Sequence, residues 1–441
     1  MVENNFQQSS EKLHSELLIK VSAPGKVILH GEHSVVFGKL AIAASLGLRT
    51  KLSLSELKSD IELNMLTIQL KDLNLIQSYD VKIIQQDLLA KCRSIIKNNP
   101  NYSLENPQLI NHEEILQITE DFVTRYSKPL NPYQNIALVS LFYLFAGTLG
   151  SVDIKLRPIN INLETDLTIN AGTGSSASYL VTLSAAFIQY IRFKANFGKN
   201  QIKNGQTKHR NSEVTNSIKF DTDDLQLISK WAYNAEKIIH GPASGIDNTI
   251  CTFGSMVEFR KGSQPRVIEL PTKFRMLLIN SMVTRNTKSM IAVAQETKKE
   301  FPTVFDSILD AMNAVAESAL ETIIRLSQLK TVVEHENCDS EMVSLFKRLE
   351  KLTDMNQNLL AAIGVSHPKL DRICSILKEN GLHGKLTGAG GGGFAIALVN
   401  HYHPDDKIKA LMEKLETEGF SVQLTDLGGP GVLIDEFKVN S

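Results

Sequence analysis

Cysteine is scarce in this chain: Cys92, Cys251, Cys338 and Cys374 are the only four in 441 residues, and no two form a CxxC pair. That spacing supports neither a disulfide framework nor a cysteine-ligated metal site, and it suits a reducing compartment. An excess of one charge is missing too. Lys and Arg number 47 against 48 Asp and Glu, a formal charge of -1, so neither nucleic acid nor an anionic membrane is expected as the main partner. No apolar run is long enough for a bilayer. Residues 129–152 carry no charge, yet Asn131, Pro132, Gln134 and Asn135 interrupt the first part. The solid stretch from Ile136 to Leu149 falls short of the ~20 residues a spanning helix needs, and a buried core helix is the expectation.

Signatures are absent as well. The N-terminal residues hold no run of signal-peptide length, and Val439-Asn440-Ser441 is not a Ser-Lys-Leu address. A cytoplasmic location is expected, with a peroxisomal one left open. Walker A needs Ser or Thr after Gly-Lys, but Gly38-Lys39 is followed by Leu40. The protein-kinase triplets and the GxSxG elbow of serine hydrolases do not occur either.

What is present is an ordinary globular composition, 42% hydrophobic and 22% charged, of a length that suggests two or three domains. Leu17 to Val21 reads as a strand, Val27 to Leu29 as another, and Ile61, Leu63 and Met65 alternate as a half-buried strand does. From Gly174 the period becomes helical, with Ala177, Leu180, Val181, Ser184, Ile188 and Ile191 on one face. Residues 196–217, rich in Asn, Lys, Gln and Ser, read as a flexible surface loop. Asp221-Thr222-Asp223-Asp224 reads as solvated capping of a helix through Trp231 and Ile238. A strand from Arg275 to Ser281, a long amphipathic helix from Phe305 to Ile323, and strands at 394–399 and 420–424 around a helix at 405–418 complete the reading. The domain boundary is expected near Pro271, giving an N-terminal domain 1–271 and a C-terminal domain 272–441.

Chemistry concentrates in three glycine-bearing segments. The first is Ala23-Pro24-Gly25-Lys26-Val27-Ile28-Leu29-His30-Gly31-Glu32-His33. Its histidines lack the HExxH spacing of a zinc site, whereas Lys26 stands beside a buried strand. The second is Asn170-Ala171-Gly172-Thr173-Gly174-Ser175-Ser176-Ala177-Ser178. Glycines let several N–H groups converge, and a helix starting at Ser175 or Ser176 adds its positive end, which together suit a phosphate. A plain turn with a serine N-cap satisfies the same residues. The third, Lys385-Leu386-Thr387-Gly388-Ala389-Gly390-Gly391-Gly392-Gly393-Phe394, runs directly into an apolar strand, so a functional loop fits better than a linker.

In this order and spacing the three segments resemble the GHMP kinase superfamily, and the first resembles its mevalonate kinase family. Glu236-Lys237-Ile238-Ile239-His240-Gly241, Ser244-Gly245-Ile246-Asp247-Asn248, Thr284-Arg285-Asn286-Thr287 and Met355-Asn356-Gln357 add to the likeness. Asn170 and Thr173 stand where the family usually has Pro and Leu, and Phe394 where it often has Cys or Ser. The resemblance implies an α+β fold, with an N-terminal domain like ribosomal protein S5 domain 2 and a ferredoxin-like C-terminal domain to which the last strand need not belong. It implies ATP and mevalonate as substrates, Mg2+ as cofactor, a homodimer, and feedback inhibition by prenyl diphosphates. It also implies roles. Gly172, Thr173, Gly174, Ser175, Ser176 and Ala177 would bind nucleotide, and Ser176 and Glu236 would hold the metal. Asp247 would be the base, with Lys26 beside it. Lys26, Glu32, His33, Ile239, Asp247, Thr287, Gly390 and Gly391 would surround the acceptor. Taken singly, Glu236 also reads as a surface ion-pair residue and Asp247 as a turn residue.

Overall fold

The computed structural model describes residues 15–58, 64–98, 103–107, 111–152, 154–169, 172–203, 219–240, 245–270, 273–284, 286–329, 337–400 and 402–440. Ile61 and Leu63, Asn170 and Ala171, most of the 196–217 segment and Pro271 therefore lie outside it.

The two strands read at the start are one, β1 (Ser15–His30). Pro24-Gly25 reads locally as a break, but a register shift between Pro24 and Lys26 absorbs the imino acid within the pairing. β1 lies between β2 (Ala41–Leu57) and, from the far end of the chain, β12 (Leu433–Val439), in antiparallel register. β2 also pairs with β5 (Ile159–Thr165) and β6 (Met256–Phe259), and β3 (Met65–Leu70) lies parallel to β5. Leu17, Ile19, Val21 and Ala23 alternate inward along β1 to meet the buried helix α3 (Pro132–Gly150) and the long helix α4 (Ser175–Lys203) in one core. α3 is the charge-free segment. Asn131 and Gln134 close a capping box at its start, and it is buried without interruption from Ala137 to Gly150. No described helix is long and apolar enough to cross a membrane.

α4 keeps its expected inward face, with Ala177, Leu180, Val181, Ser184, Ile188 and Ile191 all buried. It runs on to Lys203, into the segment read as loop. The acidic run is corrected as well. Asp221 and Asp224 exchange N–H to carboxylate bonds at the start of α5 (Thr222–His240), and Asp224 is buried against Arg192 rather than solvated.

The C-terminal half continues the sheet beyond β2 with four antiparallel strands, β8 (Phe274–Asn280), β9 (Gly384–Leu386), β10 (Phe394–Val399) and β11 (Ser421–Leu427), in spatial order β11-β8-β10-β9, β11 meeting β2 at Leu427↔Leu46. That is the ferredoxin-like 4-1-3-2 order. The period of two divides β8 and β10 between two cores. Leu277, Ile279, Ala395 and Ala397 face one, and Met276, Leu278, Phe394 and Ile396 face the other. The latter core also takes Val27, Leu29, Ile42 and Leu46 from β1 and β2, so both halves of the chain share it. The third glycine segment is the turn of the β9–β10 hairpin.

Candidate active site

The second glycine segment leads into α4. Gly172 and Gly174 both have positive φ, +89° and +74°. A Cβ at Gly174 would stand 2.8 Å from Cγ of Lys26, so only glycine lets the loop approach that lysine. The backbone confirms the contact, since Lys26 N–H donates to the Thr173 carbonyl at 2.8 Å. Ser178 Oγ, one turn into the helix, bonds the Ala23 carbonyl and Thr50 Oγ1, each at 2.8 Å. The start of the helix is thereby fixed beside β1.

Lys26 reaches the other way to Asp247 Oδ1, at 3.1 Å. Asp247 begins the short helix α6 (Ile246–Phe253), entered through Gly245 in the left-handed region. Asn248 ties α6 to α5 through the carbonyl and hydroxyl of Ser229. α5 brings Glu236 to the same place. This carboxylate is buried, and its Oε2 has no hydrogen-bond partner. Burial first, then the Asp247 charge, push its pKa up to about 8 against the pull of Lys26. Cys251, one turn beyond Asp247, is buried and its thiol pKa is driven well up by burial and by Asp247, so it is no nucleophile.

Two carboxylates against one ammonium, with an orphaned oxygen among them, fit a hard divalent cation better than they fit an empty interior. Ser176, in the first turn of α4, offers a further hard oxygen of the right kind. The pKa shift has its own consequence. A carboxyl that holds its proton more tightly when folded favours the folded state less as pH rises through the window between the two values. The unfolding midpoint of the ligand-free protein should fall from about pH 5 to about pH 8, and Glu236→Gln should flatten that slope. Equal slopes in thermal melts of the two proteins would remove Glu236 as its source.

The first and third segments meet in a seam between the halves. Thr387 Oγ1 accepts from Ile28 N at 3.1 Å and donates to Ile28 O at 2.8 Å. His33 Nε2 donates to the Ala389 carbonyl at 2.7 Å. Burial lowers the His33 pKa against that bond and the Glu32 charge. His30 is wholly buried, neither ring nitrogen has a partner, and burial followed by the Lys385 charge pushes its pKa down to about 3. It stays neutral.

The structure thus brings Lys26, Gly172, Thr173, Gly174, Glu236 and Asp247 together, with Ser175, Ser176 and Ala177 in the first turn of the adjoining helix. The structure places the other expected residues as follows. Glu32 points inward: its side chain is 0% exposed, Oε1 is bonded by Lys385 and Oε2 by Asn356 at 3.1 Å. Gly391 spends its N–H on the Val365 carbonyl, and Gly390 packs against the same residue. Thr287 is the first residue of helix α7 (Thr287–Glu300), whose cap is Asn286. Thr287 is exposed. Ile239 lies on α5, with its side chain outside the described residues. Sequence reasoning gave no role to Lys385 or Asn356. A lysine inside a three-residue strand ahead of a glycine turn was the available signal for the first.

The sheet order, the glycine turn leading into α4 and the lysine–aspartate pair are those of a GHMP kinase. Residues 342–418 match the family described as "GHMP kinases C terminal". The fold is shared with a solved mevalonate kinase (22% identical, TM-score 0.61, covering 92% of this chain and 98% of that one). It is shared too with L. major mevalonate kinase in complex with R-mevalonate (19%, TM-score 0.56, 93% and 96%). Among curated proteins, the mevalonate kinase of Homo sapiens is 32% identical over 424 residues, 95% of each chain. That of Candida albicans is 33% identical over 428 residues, 95% of this chain and 90% of its own. The chain belongs to the mevalonate kinase family.

Proposed function

We propose that this chain is an ATP-dependent kinase that transfers the γ-phosphate of ATP to the 5-hydroxyl of mevalonate, a step in isoprenoid and sterol precursor biosynthesis. Family membership supports the substrate. The observation that carries the chemistry is the 3.1 Å pair of Lys26 and Asp247 beside the Gly172–Gly174 turn.

Phosphoryl transfer asks for in-line positioning and charge neutralisation more than for covalent catalysis. In the proposed mechanism the N–H groups of Gly172, Gly174 and Ser175 and the start of α4 bind the nucleotide phosphates. Asp247 accepts the proton of the acceptor hydroxyl. Lys26, 3.1 Å from Asp247, steadies the oxygen that becomes negative. His33 and Lys26 supply donors for the acceptor's carboxylate, with Ile239, Thr287 and the Gly390–Gly391 turn around it. Ser176 and Glu236 would hold Mg2+, which when bound offsets the charge of the β- and γ-phosphates. The two lobes of the proposal are 1–271 and 272–441, with β12 counted in the first because it pairs with β1. The family likeness extends the reading to a cytoplasmic homodimer inhibited by prenyl diphosphates, whose phosphates would compete for the same turn.

ADP release measured with mevalonate, phosphomevalonate, homoserine and galactose, with and without magnesium, tests the assignment. Turnover confined to mevalonate and dependent on magnesium is expected. Preference for phosphomevalonate or homoserine would move the protein elsewhere in the superfamily.

A further inference from the structure

We infer that Lys385 is a positioning residue for the acceptor side of the site, acting through Glu32 and the turn at His33. Lys385 lies on β9 with its side chain 1% exposed. Its ammonium donates to Glu32 Oε1 and, at 2.6 Å, to the Leu386 carbonyl. Asn356 holds the other Glu32 oxygen. Glu32 is therefore closed off from the cleft and joined to both neighbouring elements of the C-terminal half.

The next residue needs that support. His33 has φ +58° and ψ -47°, a backbone conformation that a non-glycine residue keeps only when its surroundings impose it. Two restraints flank it: the Ser34 N–H bond to the Glu32 carbonyl at 2.6 Å, and its own ring bond to Ala389. Ala389 in turn sits on the loop that follows directly from the strand carrying Lys385. One buried ammonium thus fixes the acid before His33 and the strand that feeds the carbonyl His33 grips. A buried pair of this kind adds little net stability over an apolar pair of equal volume, but removing one partner leaves an uncompensated charge. Its use here is geometric.

The inference deepens the proposed function and rests on it, so its test needs a readout that does not depend on turnover. In Lys385→Met the ring resonances of His33, followed by NMR in ligand-free protein, should shift from their wild-type positions. The KM for mevalonate should rise about tenfold or more, while the KM for ATP changes by less than about twofold, since a misplaced turn affects only the acceptor side. The double variant Glu32→Gln/Lys385→Met removes both charges at similar volume and should return the His33 signals and the KM for mevalonate to within about threefold of wild type. If instead the double variant binds the acceptor as poorly as Glu32→Gln alone, Glu32 contacts the acceptor itself and the inference fails. It also fails if Lys385→Met lowers only the amount of folded enzyme, with both KM values and the His33 signals unchanged. If Lys385→Met does not fold, the double variant decides alone by the same two readouts. Absence of mevalonate turnover in the wild type would sink the function and leave the NMR comparison standing.

Discussion

Asp247→Asn is expected to lower kcat by about 10²–10⁴ while leaving nucleotide binding intact, the usual span for loss of a general base. Asparagine has the same shape and can take the same place at the start of α6, so the helix and its bond to Ser229 through Asn248 persist. What disappears is an acceptor for the hydroxyl proton and the charge opposite Lys26, 3.1 Å away. The loss should fall on kcat rather than on the KM for ATP, because the phosphate turn and the first turn of α4 are untouched. Calorimetric titration with ATP and magnesium, beside steady-state kinetics, separates the two. Near-normal turnover would remove Asp247 from the chemistry.

The second large effect lies in the hairpin turn. Gly390→Ala should destabilise the fold by about 2–5 kcal/mol, the sum of a left-handed backbone with a Cβ, about 1–2 kcal/mol, and overpacking, about 1–3 kcal/mol. The new Cβ would stand 2.0 Å from the Val365 carbonyl oxygen at φ +75°, and backbone cannot step aside as a side chain can. Val365 O is also the acceptor for Gly391 N–H, so the clash opens that bond too. Two companions calibrate it. At Gly391 (φ +67°) the obstacle is the thioether of Met290 at 2.4 Å, which can move. At Gly38 (φ +83°) nothing lies within 4 Å, and only the backbone penalty remains. Denaturant midpoints should therefore fall in the order Gly390→Ala, Gly391→Ala, Gly38→Ala, the first furthest. Equal shifts in all three would mean that the Val365 contact contributes nothing.

Much of this site was legible because its determinants are local. A glycine turn at Gly172 and Gly174 ahead of a helical period is visible in the sequence, and the α4 face from Ala177 to Ile191 is buried as that period requires. The unbroken apolar run of α3 read correctly as a core helix. Family likeness, not periodicity, singled out Lys26, Glu236 and Asp247. Local rules failed where distant residues decide the outcome. Leu17 to Val21 and Val27 to Leu29 read as two strands, yet pairing to β2 carries β1 through Pro24-Gly25 as one. Asp224 looked solvated because its partner, Arg192, sits on another helix. Glu32 looked like a ligand contact, but Lys385, 353 positions along the chain, turns it inward. No window of sequence contains both.

The placement of β12 bears on how the molecule is made. Its ladder with β1 spans Leu17↔Val439 to Ser22↔Leu433, and it contributes Ile434 and Phe437 at the border of the N-terminal core. A ribosome releasing this polypeptide delivers β1 early and β12 hundreds of residues later. During that interval the nascent sheet has a bare flank beside the strand that carries Lys26, a template for wrong pairing. Chaperone attachment during translation should therefore persist until residues beyond 433 emerge, however much of the first half has already collapsed.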